Sequence, residues 1–314
     1  MKYNRILPSL LTILLISCSN AKTATSKIFC FDTYIDIKLI NGNKDNVIDI
    51  EDIFYRYDKL SDNYQNRSIN NIYTINQTND PVVVDEDLYK LLQTSFSVDT
   101  KYFNPLCGSL AKKWKDALDK KEVLSDAIIE EELDKIVNTH LSFLDGNKIQ
   151  KEGPAEIDLG GIAKGYALDV VKSYLDAKEM TQYLINAGSS SILLGEKNTK
   201  DGLFNVGLKD INNGYLKLKN CFVSTSSISE QNAVINDVTY SHIINPLTGS
   251  ALSVNDVVIV VSNNGYQGDA LSTSMMMNTV EEIKELETKF DVKTIVVKDG
   301  NIIYQNNNIE VYYH

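Results

Sequence analysis

The stretch Glu156-Ile-Asp-Leu-Gly-Gly-Ile-Ala-Lys-Gly-Tyr-Ala-Leu-Asp169 is the one against which the rest of the chain is read. It starts as a short apolar run, passes two adjacent glycines and leaves as a helix. Ile162, Ala163, Tyr166, Ala167 and Val170 recur at spacings of three and four, the period of one helix face. A turn of this kind leaves backbone N–H groups at a helix N-terminus, where an anion can sit. Lys164 adds a mobile positive charge, and Asp158 adds a carboxylate just before the glycines. Taken alone, such a turn is more often a plain strand-to-helix connection. The other segments decide between the two readings.

The chain has 314 residues, enough for one large domain or two small ones, and its 43% hydrophobic content allows a sizeable core. Its formal net charge is −11 and no basic patch appears, which argues against nucleic acid as a partner. An anionic ligand would meet the same repulsive field unless a cation or local dipoles reversed it at the site. At the N-terminus, Lys2 and Arg5 precede a short apolar run, Ile6 to Ile16, too short to span a bilayer. It ends at Leu15-Ile-Ser-Cys18, which resembles a bacterial lipoprotein signal in which Cys18 becomes the lipidated first residue. A plain secretory peptide is the alternative. The expected organisation is a signal over 1–18, a polar tether over 19–27 and one domain over 28–314. The domain would be lipid-anchored in the bacterial cell envelope, on the periplasmic face of a membrane, with no other membrane contact. Cys30, Cys107 and Cys221 are odd in number and form no CxxC pair, so neither a zinc site nor a redox motif is indicated. Buried free thiols are expected, with one disulfide open to an exported protein.

Along the domain, β-formers from Ile28 to Ile40 read as a strand and Asn46 to Leu60 as a helix. Asp85 caps a helix to Ser97. A helix from Ser109 carries Trp114, and Ser125 to Asn138 is another, with Ile128, Ile129, Leu133 and Ile136 inside. Strands follow at 183–188, 189–195, 204–208 and 221–225, and Val238 leads a strand into a Pro/Gly turn. Val257 to Val261 is a continuous β-branched run suited to a central strand. Helices at Asp269–Asn278 and Thr279–Phe290 precede a hairpin around Asp299-Gly300. This order gives an α+β fold in a single domain.

Four polar loops carry candidate chemistry: Ser61 to Arg67, the central glycine turn, Tyr240 to Gly249, and Asp269 to Thr273. Asp269, Ser272 and Thr273 lie at i, i+3 and i+4, which puts three oxygens on one side of a helical turn. Such a hard-oxygen set suits Mg²⁺, although the same spacing fits an ordinary helix cap. His242 lies between a strand and a turn, where a general base could be held or a loop imidazole simply solvated. Met275 to Met277 read as core filling.

Together, Asp158-Leu-Gly-Gly-Ile-Ala-Lys-Gly-Tyr-Ala167, Tyr240-Ser-His-Ile-Ile-Asn-Pro-Leu-Thr-Gly249 and Asp269-Ala-Leu-Ser-Thr273 strongly resemble the ApbE family. Asn186-Ala-Gly188 and Val223-Ser-Thr-Ser-Ser227 fall between the first two. These are FAD:protein FMN transferases, often exported lipoproteins. The resemblance runs from Phe31-Asp-Thr33 to the final hairpin. It implies an ApbE-like, T-fold-like domain of two subdomains with FAD bound between them and Mg²⁺ bridging the pyrophosphate. A Thr or Ser of a partner flavoprotein would attack the FMN-side phosphorus, leaving FMN in a phosphoester bond and releasing AMP. By motif, Asp158 and Lys164 would contact FAD. The Gly161 carbonyl, Asp269 and Thr273 would bind Mg²⁺, with Ser272 a further contact. His242 would contact FAD and activate the hydroxyl.

Two departures bear on the activity. Many family members carry Ser-Thr-Tyr in the first loop, where this chain has Ser61-Asp-Asn63. In the family, a non-aromatic residue in that slot accompanies Mg²⁺-dependent hydrolysis of FAD to FMN and AMP, so Ser61 and Asn63 join the expected FAD contacts and a diphosphatase side activity is implied. Gly188-Ser189 stands where Gly-Gly is usual. The alternative reading is a periplasmic lipoprotein that stores or delivers FAD.

Overall fold

The structure, a computed structural model, describes residues 22 to 313. The signal and lipidation readings at 1–18 lie outside these residues. Strand β1 (Thr23–Cys30) and β2 (Thr33–Ile40) form an antiparallel hairpin turned by Phe31 and Asp32, both in the left-handed region with φ 53° and 54°. The sequence reading of one strand over Ile28–Ile40 is therefore corrected. No glycine marks the turn, so nothing in the run of β-formers betrays the break. Strand β1 also opens at Thr23, inside the stretch read as tether.

The order then runs α1 (Lys44–Ser61), α2 (Ile72–Asn76), β3 (Val82–Val83), α3 (Glu86–Ser97), α4 (Gly108–Lys120) and α5 (Asp126–Val137). Next come β4 (His140–Leu144), β5 (Lys148–Glu152), α6 (Ala163–Ala177), β6 (Tyr183–Ala187), β7 (Ser191–Leu194), β8 (Phe204–Gly207), β9 (Gly214–Leu218) and β10 (Cys221–Ser227). The chain closes with β11 (Asn232–Ile235), β12 (Val238–Ser241), β13 (Val257–Ser262), α7 (Gly265–Met275), α8 (Val280–Phe290), β14 (Lys293–Lys298), β15 (Asn301–Gln305) and β16 (Val311–Tyr313). Mixed helices and antiparallel strands make this an α+β fold, as expected.

The backbone of the molecule is a sheet of eight strands in the order β1-β2-β6-β7-β10-β13-β14-β15. All six residues of β13 are buried, which accounts for its unbroken apolar run. In β2, Ile35, Ile37 and Leu39 face the core while Tyr34, Asp36 and Lys38 face out. Asp85 accepts from the Asp87 N–H, so the predicted cap of α3 holds. Helix α5 is more superficial than expected. Ile136 is buried, but Ile128, Ile129 and Leu133 are only half-buried. Met275, Met276 and Met277 fill the core, and the three cysteines among the described residues are free.

Helix α7 begins at Gly265, a full turn before the Asp269 start read from sequence. Its first turn, Gly265-Tyr-Gln-Gly268, has two glycines and poor intrinsic helicity. Close packing replaces propensity there. A Cβ on Gly165 would lie 2.1 Å from the Gly265 carbonyl oxygen, and one on Gly265 would lie 2.3 Å from that of Gly165. Helices α6 and α7 thus cross backbone to backbone, and only glycine allows it.

Candidate active site

The crossing of α6 and α7 sets the site. Asp269 sits one turn into α7, not at its cap, and is 6% exposed. Its Oδ1 accepts from Ser191 Oγ at 2.8 Å and Ser224 Oγ at 2.7 Å, and its Oδ2 accepts from the Gly165 N–H at 2.7 Å. Burial pushes this carboxyl above its ordinary value, while Lys164, the two serines and Gly165 pull it back. A carboxylate has about four acceptor positions, and three are used, so Oδ2 keeps one free.

The Gly165 N–H is the usual partner of the Gly161 carbonyl at the start of an α-helix. Because it goes to Asp269, the Gly161 carbonyl accepts no hydrogen bond among the described residues, whereas the next carbonyl, Ile162, accepts from Tyr166 at 3.0 Å. Thr273 stands opposite: a Cβ on Gly161 would lie 3.3 Å from Thr273 Oγ1 and 3.2 Å from the Phe103 ring. Thr273 Oγ1 has only a long 3.5 Å contact with Ser226 Oγ. One carboxylate position, one carbonyl and one hydroxyl are thus left open on the wall of one cavity, and their hard-oxygen chemistry fits an ion such as Mg²⁺. Among the described residues no three His, Cys, Asp or Glu cluster as a metal cage, so several positions on such an ion would fall to substrate or water. Ser272 is less available. Its hydroxyl donates to the Asp269 carbonyl at 3.0 Å and shares a hydrogen with Ser226 at 2.9 Å.

The amides at the start of α6 are mostly engaged, which corrects the picture of a free anion nest. Gly160 N–H donates to Asp158 Oδ1 at 2.6 Å, Ile162 and Ala163 donate to the Leu159 carbonyl, and Gly165 donates to Asp269. Positive charge comes instead from Lys164, which makes no hydrogen bond or ion pair among the described residues and lines the cavity.

His242 directly follows β12. Its Nδ1 lies 3.2 Å from the Gln231 carbonyl oxygen, which can only accept, so Nδ1 carries the hydrogen and Nε2 offers its lone pair. The imidazole is open to the cavity yet ringed by protein. That setting lowers its pKa below 6.5, with burial the leading cause and Lys164 and Lys209 adding to it.

Two adjoining cavities, of about 220 Å³ and 480 Å³, share Asp158, Gly160, Lys164 and His242 and form one trough. The first holds Gly161, Asp269, Ser272 and Thr273. The second holds Ser61 and Asn63. Ser61 donates to the Tyr57 carbonyl of its own helix at 2.7 Å. Asn63 is 5% exposed and its Nδ2 has no partner. A buried donor left open in a cavity wall is what a ligand acceptor atom would satisfy. All the site residues read from sequence, apart from Cys18, therefore line one trough. Sequence reasoning gave no role to Ser191 and Ser224, although Val223-Ser-Thr-Ser-Ser227 was part of the motif set. It also missed Tyr64 on the trough wall, flanked by Lys112 at 4.9 Å and Lys115 at 5.2 Å.

The model of the ApbE family matches residues 31–296. The chain belongs to the ApbE family. Its relatives include the FAD:protein FMN transferase of Treponema pallidum (strain Nichols), 27% identical over 234 residues, covering 67% of this chain and 65% of that protein. The FAD:protein FMN transferase of Rhodobacter capsulatus is 26% identical, over 70% of this chain and 44% of that one. Against these two, the match thus spans less than two thirds of the relative. The Klebsiella pneumoniae (strain 342) enzyme of the same name is 29% identical, over 76% and 78%. The ApbE protein of Thermotoga maritima superposes with TM-score 0.76 at 25% identity, over 91% of this chain and 97% of that one. The flavinyl transferase ApbE of Pseudomonas stutzeri gives 0.76 at 19%, over 91% and 95%, which speaks for the shared ApbE fold.

Proposed function

We propose that this chain is a Mg²⁺-dependent FAD:protein FMN transferase that also hydrolyses FAD to FMN and AMP. The observation that carries the reading is the meeting of Lys164, His242 and the open oxygens of Gly161, Asp269 and Thr273 in one trough. The names of its family relatives support the substrate class. Phosphoryl transfer asks little covalent chemistry of a protein; positioning and charge neutralisation dominate. Asp269, Thr273 and the Gly161 carbonyl would hold Mg²⁺, which would neutralise pyrophosphate charge in a protein of net charge −11. Lys164 faces the same charge from the rim. His242 Nε2 accepts the proton of an acceptor Thr or Ser hydroxyl as it attacks the FMN-side phosphorus, and AMP carries away the broken bond's electrons. The ring is held for this by the Gln231 carbonyl.

Asn63 supports the hydrolytic arm, since a small polar side chain in that wall leaves room for water. Asn63→Tyr should lower AMP release in water and leave FAD bound. The chain would act on the periplasmic face, anchored through Cys18, a reading that rests on residues 2–18 of the sequence.

The test is incubation with FAD and Mg²⁺, with and without acceptor flavoproteins. The reading expects AMP in both cases and an FMN adduct on Thr or Ser. A protein that purifies yellow and keeps intact FAD after Mg²⁺ is added would favour FAD storage instead.

A further inference from the structure

Helices α6 and α7 carry the same short pattern. Gly165-Tyr-Ala-Leu-Asp169 lies on one and Gly265-Tyr-Gln-Gly-Asp269 on the other. The two patterns bind each other reciprocally. Asp269 Oδ2 accepts from the Gly165 N–H at 2.7 Å, and Asp169 Oδ1 accepts from the Gly265 N–H at 2.7 Å. Asp169 Oδ2 also accepts from the Tyr266 N–H at 2.8 Å. The glycines touch between them, so the pair is close to a local two-fold arrangement. Helix α7 has no cap of its own, because Asn264 makes no side-chain hydrogen bond to its first turn. Asp169 of the neighbouring helix does that work.

The two halves differ in where they face. The Asp269 half opens on the trough, and the Asp169 half opens on a separate groove with Tyr166 and Tyr266. From this we infer that Asp169 is a positioning residue for the trough. It pins the first turn of α7 onto α6, which sets Asp269 one turn later against Gly165. That contact in turn keeps the Gly165 N–H away from the Gly161 carbonyl and leaves the carbonyl open. Loosening the far half should let α7 slide and lengthen the Asp269 contact, so that the Gly165 N–H opens more often and the Asp269 carboxylate loses its placement beside the Gly161 carbonyl. The assignment deepens the proposed function, because the site it tunes is the proposed Mg²⁺ site.

Amide hydrogen exchange and Mg²⁺ titration calorimetry test it without turnover, so they read out even if the protein releases no AMP. In the unaltered protein, Mg²⁺ should slow the Gly165, Gly265 and Tyr266 amides together. Asp169→Asn keeps the shape but turns an NH₂ toward an N–H donor. It should speed Gly165 exchange as well as that of its own two partners, and weaken Mg²⁺ binding by about tenfold or more. In turnover assays the Mg²⁺ concentration for half-maximal rate should rise while kcat at saturating Mg²⁺ stays within about twofold. Leu88→Ala, a core truncation in α3, should lower thermal stability without moving the Mg²⁺ constant. The inference is overturned if Asp169→Asn speeds only Gly265 and Tyr266 and leaves Gly165 exchange and Mg²⁺ affinity unchanged. It is overturned equally if Mg²⁺ slows Gly165 alone in the unaltered protein.

Discussion

Burial makes charge on Asp269 costly and raises its pKa, and the three donors that face it offset part of that cost. Asp269→Ala would leave Ser191, Ser224 and the Gly165 N–H without their acceptor. Denaturant unfolding should show a loss of about 1–3 kcal/mol from such buried unpaired groups, and AMP release should fall to background. Asp269→Asn is nearly the same size and should retain more of the fold while losing the same activity. As the proposed base, His242 should set the pH dependence. Its folded pKa lies below the free value of 6.5, so the unfolded chain takes up the proton more readily. Its contribution to stability is therefore full above pH 6.5 and is lost as pH falls. The acid limb of kcat/KM should lie below pH 6.5, and the residual rate of His242→Gln should lack it. Asp158, Lys164, Asp269 and His242 were legible as motif members, and the fold brings all four to one cavity. The hydroxyls of Ser191 and Ser224 were not, because a serine on a strand gives no sign of which buried carboxylate it will meet.

The helix crossing is the element on which the site depends. Gly165→Ala would place a methyl 2.1 Å from the Gly265 carbonyl oxygen and 2.9 Å from the Asp269 carboxyl carbon. The helices must separate to admit it, at a cost of about 1–3 kcal/mol. Thermal melting should show the loss, and FAD turnover should fall further than stability because Asp269 moves with α7. The sequence showed helix α6 clearly, since its apolar face is periodic. It hid the first turn of α7, where Gly265 and Gly268 lower local propensity and only contact with α6, Ser224 and Ser262 makes the turn worthwhile. The β1–β2 break was hidden for a related reason: Phe31 and Asp32 adopt positive φ without a glycine to announce it. The hairpin of β4 and β5 was passed over although Asp145-Gly146 stands between its strands, because β4 is mostly half-buried and β5 buries Lys151 beside Ile149, so its burial alternates without an apolar alternation in the sequence.

At the scale of the molecule, the eight-stranded sheet carries β7 and β10 beside one another, and so brings Ser191 and Ser224 to Asp269 from residues far apart in sequence. With a net charge of −11, binding of an anionic ligand should depend on a bound cation. FAD with Mg²⁺ at about a hundredfold over the dissociation constant should stabilise the fold by about 2.7 kcal/mol, read as a rise in Tm that EDTA removes. FAD without the metal should give a much smaller rise. The most direct measurement is chromatographic detection of AMP after the purified protein is mixed with FAD, with Mg²⁺ or with EDTA. The site described here predicts AMP with Mg²⁺, none with EDTA, and none for Asp269→Asn. Intact FAD in every tube, or AMP release that ignores EDTA and the Asp269 substitution, would contradict it.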